Sequence, residues 1–214
     1  MIYLQNIGAY FLMIVKLFRK QTKWNVMRQL ILKDIDDLVI GSIGIIAFIS
    51  FFIGGVITIQ TALNITSALI PKSLVGFATR QSIILEFAPT FTSIIMAGKV
   101  GSYITSSIGT MRVTEQIDAL EVMGINSLNY LVFPKVIALM LYPFAIAIGM
   151  FVGILGGMAA CVFGGYATLA DFITGIQIEF VPFHVTYSFI KTFIFAFILA
   201  TLPAFYGYYM KGGA

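Results

Sequence analysis

Four long apolar stretches divide the chain, each bounded by charge, glycine or proline. No charged residue occurs between Asp37 and Lys72. That is more than a hydrocarbon core of ~30 Å requires at ~1.5 Å rise per helical residue. The pattern predicts membrane spans at about 38–60, 82–108, 136–163 and 187–208, the first projecting through Thr61, Asn64 and Thr66 towards Pro71. Pro143 is expected to kink the third span. Before the first span, residues 1–37 form a basic segment. Ala9 to Val15 are apolar, and Lys16, Arg19, Lys20, Lys23, Arg28 and Lys33 follow. Positive charge behind the apolar part is the reverse of a secretory signal, so an interfacial helix facing anionic headgroups is expected. Residues 38–214 then form one all-α, multi-pass helical bundle.

Gly109 to Pro134, lying between the second and third spans, is different in kind. Arg112, Glu115, Asp118 and Glu121 fall within ten residues. Thr114 can serve as N-cap, Glu115 and Gln116 suit the first turn, and Gly124 can end the helix. Val113, Ile117, Leu120 and Gly124 share one face, with Arg112, Glu115 and Asp118 on another. A helix of about ten residues with this charge is too short to span, so it is expected to lie at the membrane surface. Spacing alone allows an ordinary amphipathic loop helix as readily as a docking element.

Composition agrees with the membrane reading. Of 214 residues, 59% are hydrophobic and 10% charged, and the mean hydropathy is +0.98; soluble domains carry about 25% charge. The net charge of +4 is concentrated near the N-terminus without aromatic stacking motifs, which fits positive-inside topology better than nucleic-acid binding. With the N-terminus inside, six N-terminal cations, Arg112, Lys135 and Lys211 lie inside, against Lys72 and Arg80 outside. The surface helix is then on the inner side. The lone Cys161 and lone His184 leave no disulfide or metal set to expect.

Several polar groups fall within the apolar runs. Glu86 and Lys99 belong to the second span, with Pro89 and a series of Ser and Thr hydroxyls from Thr90 to Ser107, and Lys191 to the fourth. Glu86 and Lys99 are about 20 Å apart along a helix and on different faces, so each needs a partner elsewhere or must snorkel from a span end. On the topology above, Glu86 and Lys191 both lie near outer span ends, which predicts a contact between them. Gly149, Gly153 and Gly157 repeat every four residues and form a small-residue ridge for another helix, within the subunit or across a dimer.

No nucleotide-hydrolysing or nucleophilic site is evident. Gly98-Lys99 is followed by Val100 and preceded at the fifth position by Ser93, which is not a P-loop. There is no nucleophile elbow and no HExxH motif. A charged surface helix, polar groups within a span and no energy source of its own suggest a subunit driven by another protein.

The segment Leu85–Pro134, LEFAPTFTSIIMAGKVGSYITSSIGTMRVTEQIDALEVMGINSLNYLVFP, closely resembles the central signature of the MlaE/YrbE permease family. These are the membrane subunits of lipid-transporting ABC systems, with plastid relatives in the trigalactosyldiacylglycerol transporter. The resemblance extends more weakly to Phe205-Tyr206-Gly207-Tyr208-Tyr209. It implies that residues 112–124 form a coupling helix docked in a groove of a separate ATPase. Arg112, Glu115, Gln116, Asp118, Ala119, Leu120, Glu121 and Gly124 would belong to it; Glu115, Asp118 and Glu121 would offer charge, and Ile117, Leu120 and Met123 would anchor it. It further implies a homodimer, an MCE-domain lipid-binding protein on the far side, a lipid path along the first two spans, and no cofactor here, with ATP and Mg on the partner. Phospholipid or a related glycerolipid would be the cargo, with Lys99 a candidate headgroup contact. A small-solute permease and a non-transporting scaffold are the other classes open to such a chain.

Three positions depart from the family pattern. Ala88 stands where glycine usually precedes the span proline, Ser107 replaces a common acidic residue, and the sequence stops at Lys211-Gly212-Gly213-Ala214 before the family's usual fifth span, as expected of either a fragment or a shortened gene. High Ile, Phe and Lys usage fits an AT-rich genome such as an algal plastid's, and no transit-type leader precedes the basic segment. A plastid inner envelope is therefore the expected location, with a bacterial inner membrane as the alternative.

Overall fold

The computed structural model describes residues 2–18, 23–65 and 70–210. Arg19 and Lys20 of the basic cluster, Thr66 and Lys211–Ala214 lie outside the described residues. Those described form helices and connecting turns, with no strand among them. In order the helices are α1 (Ile2–Leu17), α2 (Trp24–Asp34), α3 (Gly41–Asn64), α4 (Ser73–Ser82), α5 (Thr92–Val113), α6 (Gln116–Val122), α7 (Ser127–Leu131), α8 (Phe133–Leu139), α9 (Tyr142–Phe163), α10 (Leu169–Gln177) and α11 (Pro182–Tyr208). Four helical runs are long and apolar enough to cross a membrane: Trp24–Asn64, Ser73–Val113, Ser127–Phe163 and Pro182–Tyr208. They agree with the four expected spans but begin earlier. The basic segment is two helices, and the second continues through a π-helical stretch, Ile35–Ile40, into α3. A second π-helical stretch, Ile83–Phe91, joins α4 to α5 and contains Glu86 and Pro89. Pro89 has no N–H to donate and π-type bonding accommodates it without ending the helix. Pro143 does not kink a continuous helix. The chain turns at Met140 and Leu141 and restarts at Tyr142, which places Pro143 in the first turn of α9, where its missing N–H is tolerated.

The chain divides into two compact units. The first comprises Met1–Gly41, Ile95–Tyr142 and Phe195–Ala214, the second Ser42–Ile94 and Pro143–Ile194.

In the second unit, glycine sets the closest contacts. A Cβ at Gly54 would overlap the carbonyl of Gly153, and one at Gly156 would overlap the carbonyl of Phe51. At Gly149 it would come 2.9 Å from Ser50 Oγ, and at Gly157 2.5 Å from Thr58 Oγ1. The ridge expected at Gly149, Gly153 and Gly157 is thus filled by α3 of the same chain, with Gly156 as an added member. Small residues allow this because helices gain little hydrophobic driving force against lipid and associate through backbone-close packing. The α10 helix, absent from the sequence reading, caps this unit. Thr168 and Asp171 form a reciprocal capping box at its N-terminus. The Thr168 hydroxyl and N–H hold the Asp171 carboxyl below its usual range. Phe172 and Val75 are buried with Cys161, whose thiol faces the Ala167 carbonyl. Arg80, counted from sequence only as an outer cation, is 2% exposed. Its guanidinium donates to the carbonyls of Ile176, at 2.6 Å, and Ile178, at 2.8 Å, at the C-terminus of α10. A cation at that helix end satisfies orphan carbonyls and meets the negative end of the dipole.

The first unit is held by polar contacts that the pattern did not disclose. Lys135 on α8 bonds Asp34 on α2 at 2.8 Å, both side chains nearly buried. Asn129 donates to the Leu17 carbonyl at 2.9 Å and Asn126 to that of Lys16 at 3.1 Å, capping the end of α1. Gly207 of α11 lies against the Thr105 carbonyl of α5, and Thr105 Oγ1 donates to the Pro203 carbonyl at 3.1 Å.

Gly54→Ala should therefore lower the thermal stability of the purified chain by about 1–3 kcal/mol, because the added methyl meets backbone. Gly44→Ala, on the same helix with open space at its Cβ, should stay within about 1 kcal/mol of the parent. Equal unfolding midpoints for the two variants in detergent would refute the close packing.

Candidate functional site

The charged segment folds as α6 plus the turns on either side, and it is shorter than expected. Arg112 and Val113 belong to the end of α5, and the helix proper is Gln116–Val122. Thr114 does not cap it. The Thr114 hydroxyl turns back to the Thr110 carbonyl at 2.8 Å, and Glu115 takes the N-cap position with φ of 58° and no side-chain cap bond. A non-glycine residue in the left-handed region costs roughly 1–2 kcal/mol and marks a sharp, fixed reversal. At the other end Gly124 acts as expected. Its φ is +73°, its N–H bonds the Glu121 carbonyl, and the Ile125 N–H bonds that of Leu120. These two bonds are the Schellman pair, which needs a residue free to adopt positive φ.

The side chains of α6 divide into those tied to the chain and those presented outward. Ile117 is fully buried and Leu120 half-buried. Ile117 therefore packs into its own chain, correcting its expected role as an outward anchor. Val122 is 89% and Met123 66% exposed. Gln116, Asp118 and Ala119 are exposed beside them. Asp118 is bound by Arg112 at 2.7 Å, which braces α6 against the end of α5. Glu121 also points back. One of its oxygens accepts from Tyr208 at 2.8 Å and Ser127 at 2.9 Å, and these hydroxyls lie 2.8 Å from each other. This triangle joins α6, α7 and the end of α11. It borders an open cleft of about 480 Å³ that includes Lys16 and Tyr209. Burial, with Glu121 nearby, raises the Tyr209 hydroxyl above its ordinary pKa.

The intramembrane charges find partners. Lys191 Nζ lies 2.9 Å from Glu86 and 3.1 Å from the Leu85 carbonyl, which is the contact expected from their common depth. Lys99 is held separately, its Nζ donating to the Gly41 carbonyl at 2.6 Å. Gly41 follows a π-helical stretch whose wider turn carries its N–H to the Asp36 carbonyl, five residues back. Nearby, the Tyr103 hydroxyl donates to Asp37 at 3.1 Å. His184 shares a hydrogen bond with Gln81, and among the described residues no group of His, Cys, Asp and Glu could hold a metal. Asp34, Tyr208 and Asp37 meet their partners across long stretches of chain, which no local pattern discloses, and Ser127 meets both Glu121, six residues away, and the distant Tyr208.

Two variants test these contacts. Glu86→Lys or Lys191→Glu alone should each lower stability by about 1 kcal/mol, and the double exchange should recover most of the loss on thermal unfolding; an additive loss would remove the pair. Tyr208→Phe deletes a hydrogen bond to a carboxylate, worth ~1.5–3 kcal/mol, and should speed amide exchange across Gln116–Val122 by about tenfold or more. Unchanged exchange there would mean that the triangle does not hold α6.

Residues 31–214 match the family model described as "Permease MlaE". The chain is 33% identical over 186 residues to "Probable ABC transporter permease protein" of Rickettsia bellii, covering 86% of this chain and 71% of that protein. It is 32% identical over 183 residues to "Protein TRIGALACTOSYLDIACYLGLYCEROL 1, chloroplastic" of Arabidopsis thaliana, covering 81% of this chain and 49% of that one. A Porphyra purpurea protein, "Probable ABC transporter permease protein ycf63", is 35% identical over 193 residues, with 81% and 66% covered. Two of these relatives are named probable ABC transporter permeases, a class that implies an ATPase partner, and the family match runs from α2 through the charged turn to the end of the chain. Sequence, helical architecture and relatives agree: the chain belongs to the MlaE permease family.

Proposed function

We propose that this chain is the permease subunit of an ABC transporter that moves phospholipid or a related glycerolipid between membranes, with α6 as the element through which a separate ATPase drives it. The observation that carries the reading is the outward face of α6. Val122 and Met123, 89% and 66% exposed, are apolar, and Gln116, Asp118 and Ala119 are exposed on the same short helix. A short helix pinned at both ends, with two bare apolar residues on a segment that also carries Glu115 and Asp118, is suited to a groove on a soluble partner. Val122 joins Met123 as the outward anchor and Glu115 and Asp118 supply rim charge, whereas Glu121 and Ile117 hold the helix to its own chain.

Family membership supports a reading of the rest of the assembly. Two copies act with two ATPases, an MCE-domain protein receives or delivers lipid on the far side, and ATP with Mg is bound by the ATPases alone. Since α3 fills the Gly149–Gly157 ridge, the copies meet through another surface. Closure of the ATPases turns α6, and Arg112 passes that movement to α5 while Glu121 passes it to the end of α11. The lipid path runs along the first two spans, with Glu86, Lys191 and Lys99 as its polar points. Likeness to a chloroplast protein supports a plastid inner envelope as the site of action, with a bacterial inner membrane as the alternative supported by the Rickettsia relatives.

Val122→Glu together with Met123→Glu should weaken co-purification of the ATPase by about tenfold or more, the range expected when apolar anchors are lost. Glu115→Lys with Asp118→Lys should weaken it less and make it depend more on salt. If both double variants kept full ATPase association and lipid traffic in reconstituted vesicles, a scaffold would be the better reading. If ATPase activity ignored lipid and answered a soluble solute, the cargo would be wrong.

A further inference from the structure

On the exposed side of α5, Lys99, Ser102, Tyr103 and Ser106 follow one another at helical spacing and face Asp37 across a recess of about 380 Å³. A helix surface this polar has no use against acyl chains. Its hydrogen-bonding capacity is strongly one-sided. The Ser102 hydroxyl donates to the Lys99 carbonyl at 3.0 Å, and that of Ser106 to the Tyr103 carbonyl at 3.2 Å. Each serine thereby spends its only hydrogen on its own helix and leaves oxygen lone pairs outward. The Tyr103 hydroxyl likewise spends its hydrogen on Asp37, at 3.1 Å. The Asp37 carboxylate only accepts. Lys99 is the sole cation among the lining residues, and one of its N–H bonds goes to the Gly41 carbonyl. With one cation and one carboxylate the recess carries no net charge, and it offers many acceptors against few donors.

The geometry points to a binding site for a glycerolipid headgroup that donates hydrogen bonds and carries no net negative charge, through sugar hydroxyls or an ammonium group. A phosphate monoester or other acceptor-only anion would meet Lys99 but also the oxygens of Asp37, Ser102 and Ser106. The inference deepens the transport reading and rests on it for why a lipid should be recognised here. It names the headgroup class taken at the recess between α5 and the π-helical stretch Ile35–Ile40.

The test uses the whole chain without an ATPase, so failed docking of α6 leaves its result intact, and a negative result leaves docking intact. The chain is incorporated in phosphatidylcholine nanodiscs holding equal amounts of monogalactosyldiacylglycerol, phosphatidylethanolamine, phosphatidylglycerol and phosphatidate. It is then taken into mild detergent, and retained lipids are quantified by mass spectrometry. The parent should retain the galactolipid, phosphatidylethanolamine or both over the two anionic lipids by about threefold, the scale of an exposed charge contact. Retention of the galactolipid alone identifies sugar hydroxyls as the donors; retention of phosphatidylethanolamine alone identifies the ammonium. Asp37→Asn leaves the recess net positive and should move the ratio about threefold towards the anionic lipids, whereas Lys99→Gln should move it the other way. Because the two shifts are opposite in sign, a general loss of structure cannot mimic them, and Lys99→Gln alone suffices if Asp37→Asn does not fold. Equal or better retention of anionic lipids by the parent, or a ratio unmoved by the variants that fold, overturns the site.

Discussion

A polar group within a long apolar helix must be met by another polar group, and this requirement organises the chain. Water cannot compensate such a group at depth, and an unmet one costs several kcal/mol. Lys191 meets Glu86 and a carbonyl, Asp34 meets Lys135, Lys99 meets the Gly41 carbonyl, and Arg80 meets carbonyls at the end of α10. Each bond joins elements far apart in sequence and so fixes which helices are neighbours. Apolar packing alone would leave that choice loose, since Leu against Leu and Leu against lipid differ little. Glycine completes the specification by letting α3 and α9 approach to backbone contact.

The same bookkeeping separates residues that hold α6 from residues that α6 presents. Glu121, Ile117 and Gly124 are occupied within the chain, by hydroxyls, by burial and by the turn. Val122 and Met123 are not covered by it. The two ends of α6 are fixed by positive-φ residues, Glu115 and Gly124. A seven-residue helix would be marginal alone. Here its ends and inner face are tied down, so a force on its outer face is transmitted rather than absorbed by fraying.

Much of this architecture was legible from the chain alone. The four spans follow from long uncharged runs, Gly124 from its place after a helical pattern, and the Glu86–Lys191 pair from equal depth under the positive-inside rule. The ridge at Gly149, Gly153 and Gly157 was readable as a packing surface, but spacing could not say which helix would fill it. Other features depend on meetings that no local pattern encodes. Thr114 is a good N-cap residue by type, yet α5 runs on to Val113 and captures the Thr114 hydroxyl before α6 begins. Asp34 looks like one more charge in a basic segment until α8 brings Lys135 to it. Glu121 has the spacing of an outward acid, and Tyr208, 87 residues away, turns it inward. The α10 helix was missed because nine residues without a long apolar run give a weak signal, although Thr168 and Asp171 carried its capping box.

Helix α5 connects the two proposed roles. Its last turn carries Arg112, which holds Asp118 of α6, and one face about two to three and a half turns earlier carries the recess with Lys99, Ser102 and Ser106. A helix is stiff along its axis, so a rotation imposed at Arg112 reaches Ser106 and Lys99 with little loss. The recess is closed on its other side by Asp37, which lies in the π-helical stretch ahead of α3 and not on α5. Turning α5 would thus move Tyr103 against Asp37 and change how many acceptors face a bound headgroup. A π-helical segment repeats its bonds less regularly than an α-helix and is a common place for such an adjustment. The weakest link in this path is the exposed Tyr103–Asp37 hydrogen bond, whose breaking exposes a free carboxylate oxygen and a free hydroxyl hydrogen at once. The headgroup site would then differ between the two positions of α6 in the property that selects its ligand, the balance of donors to acceptors.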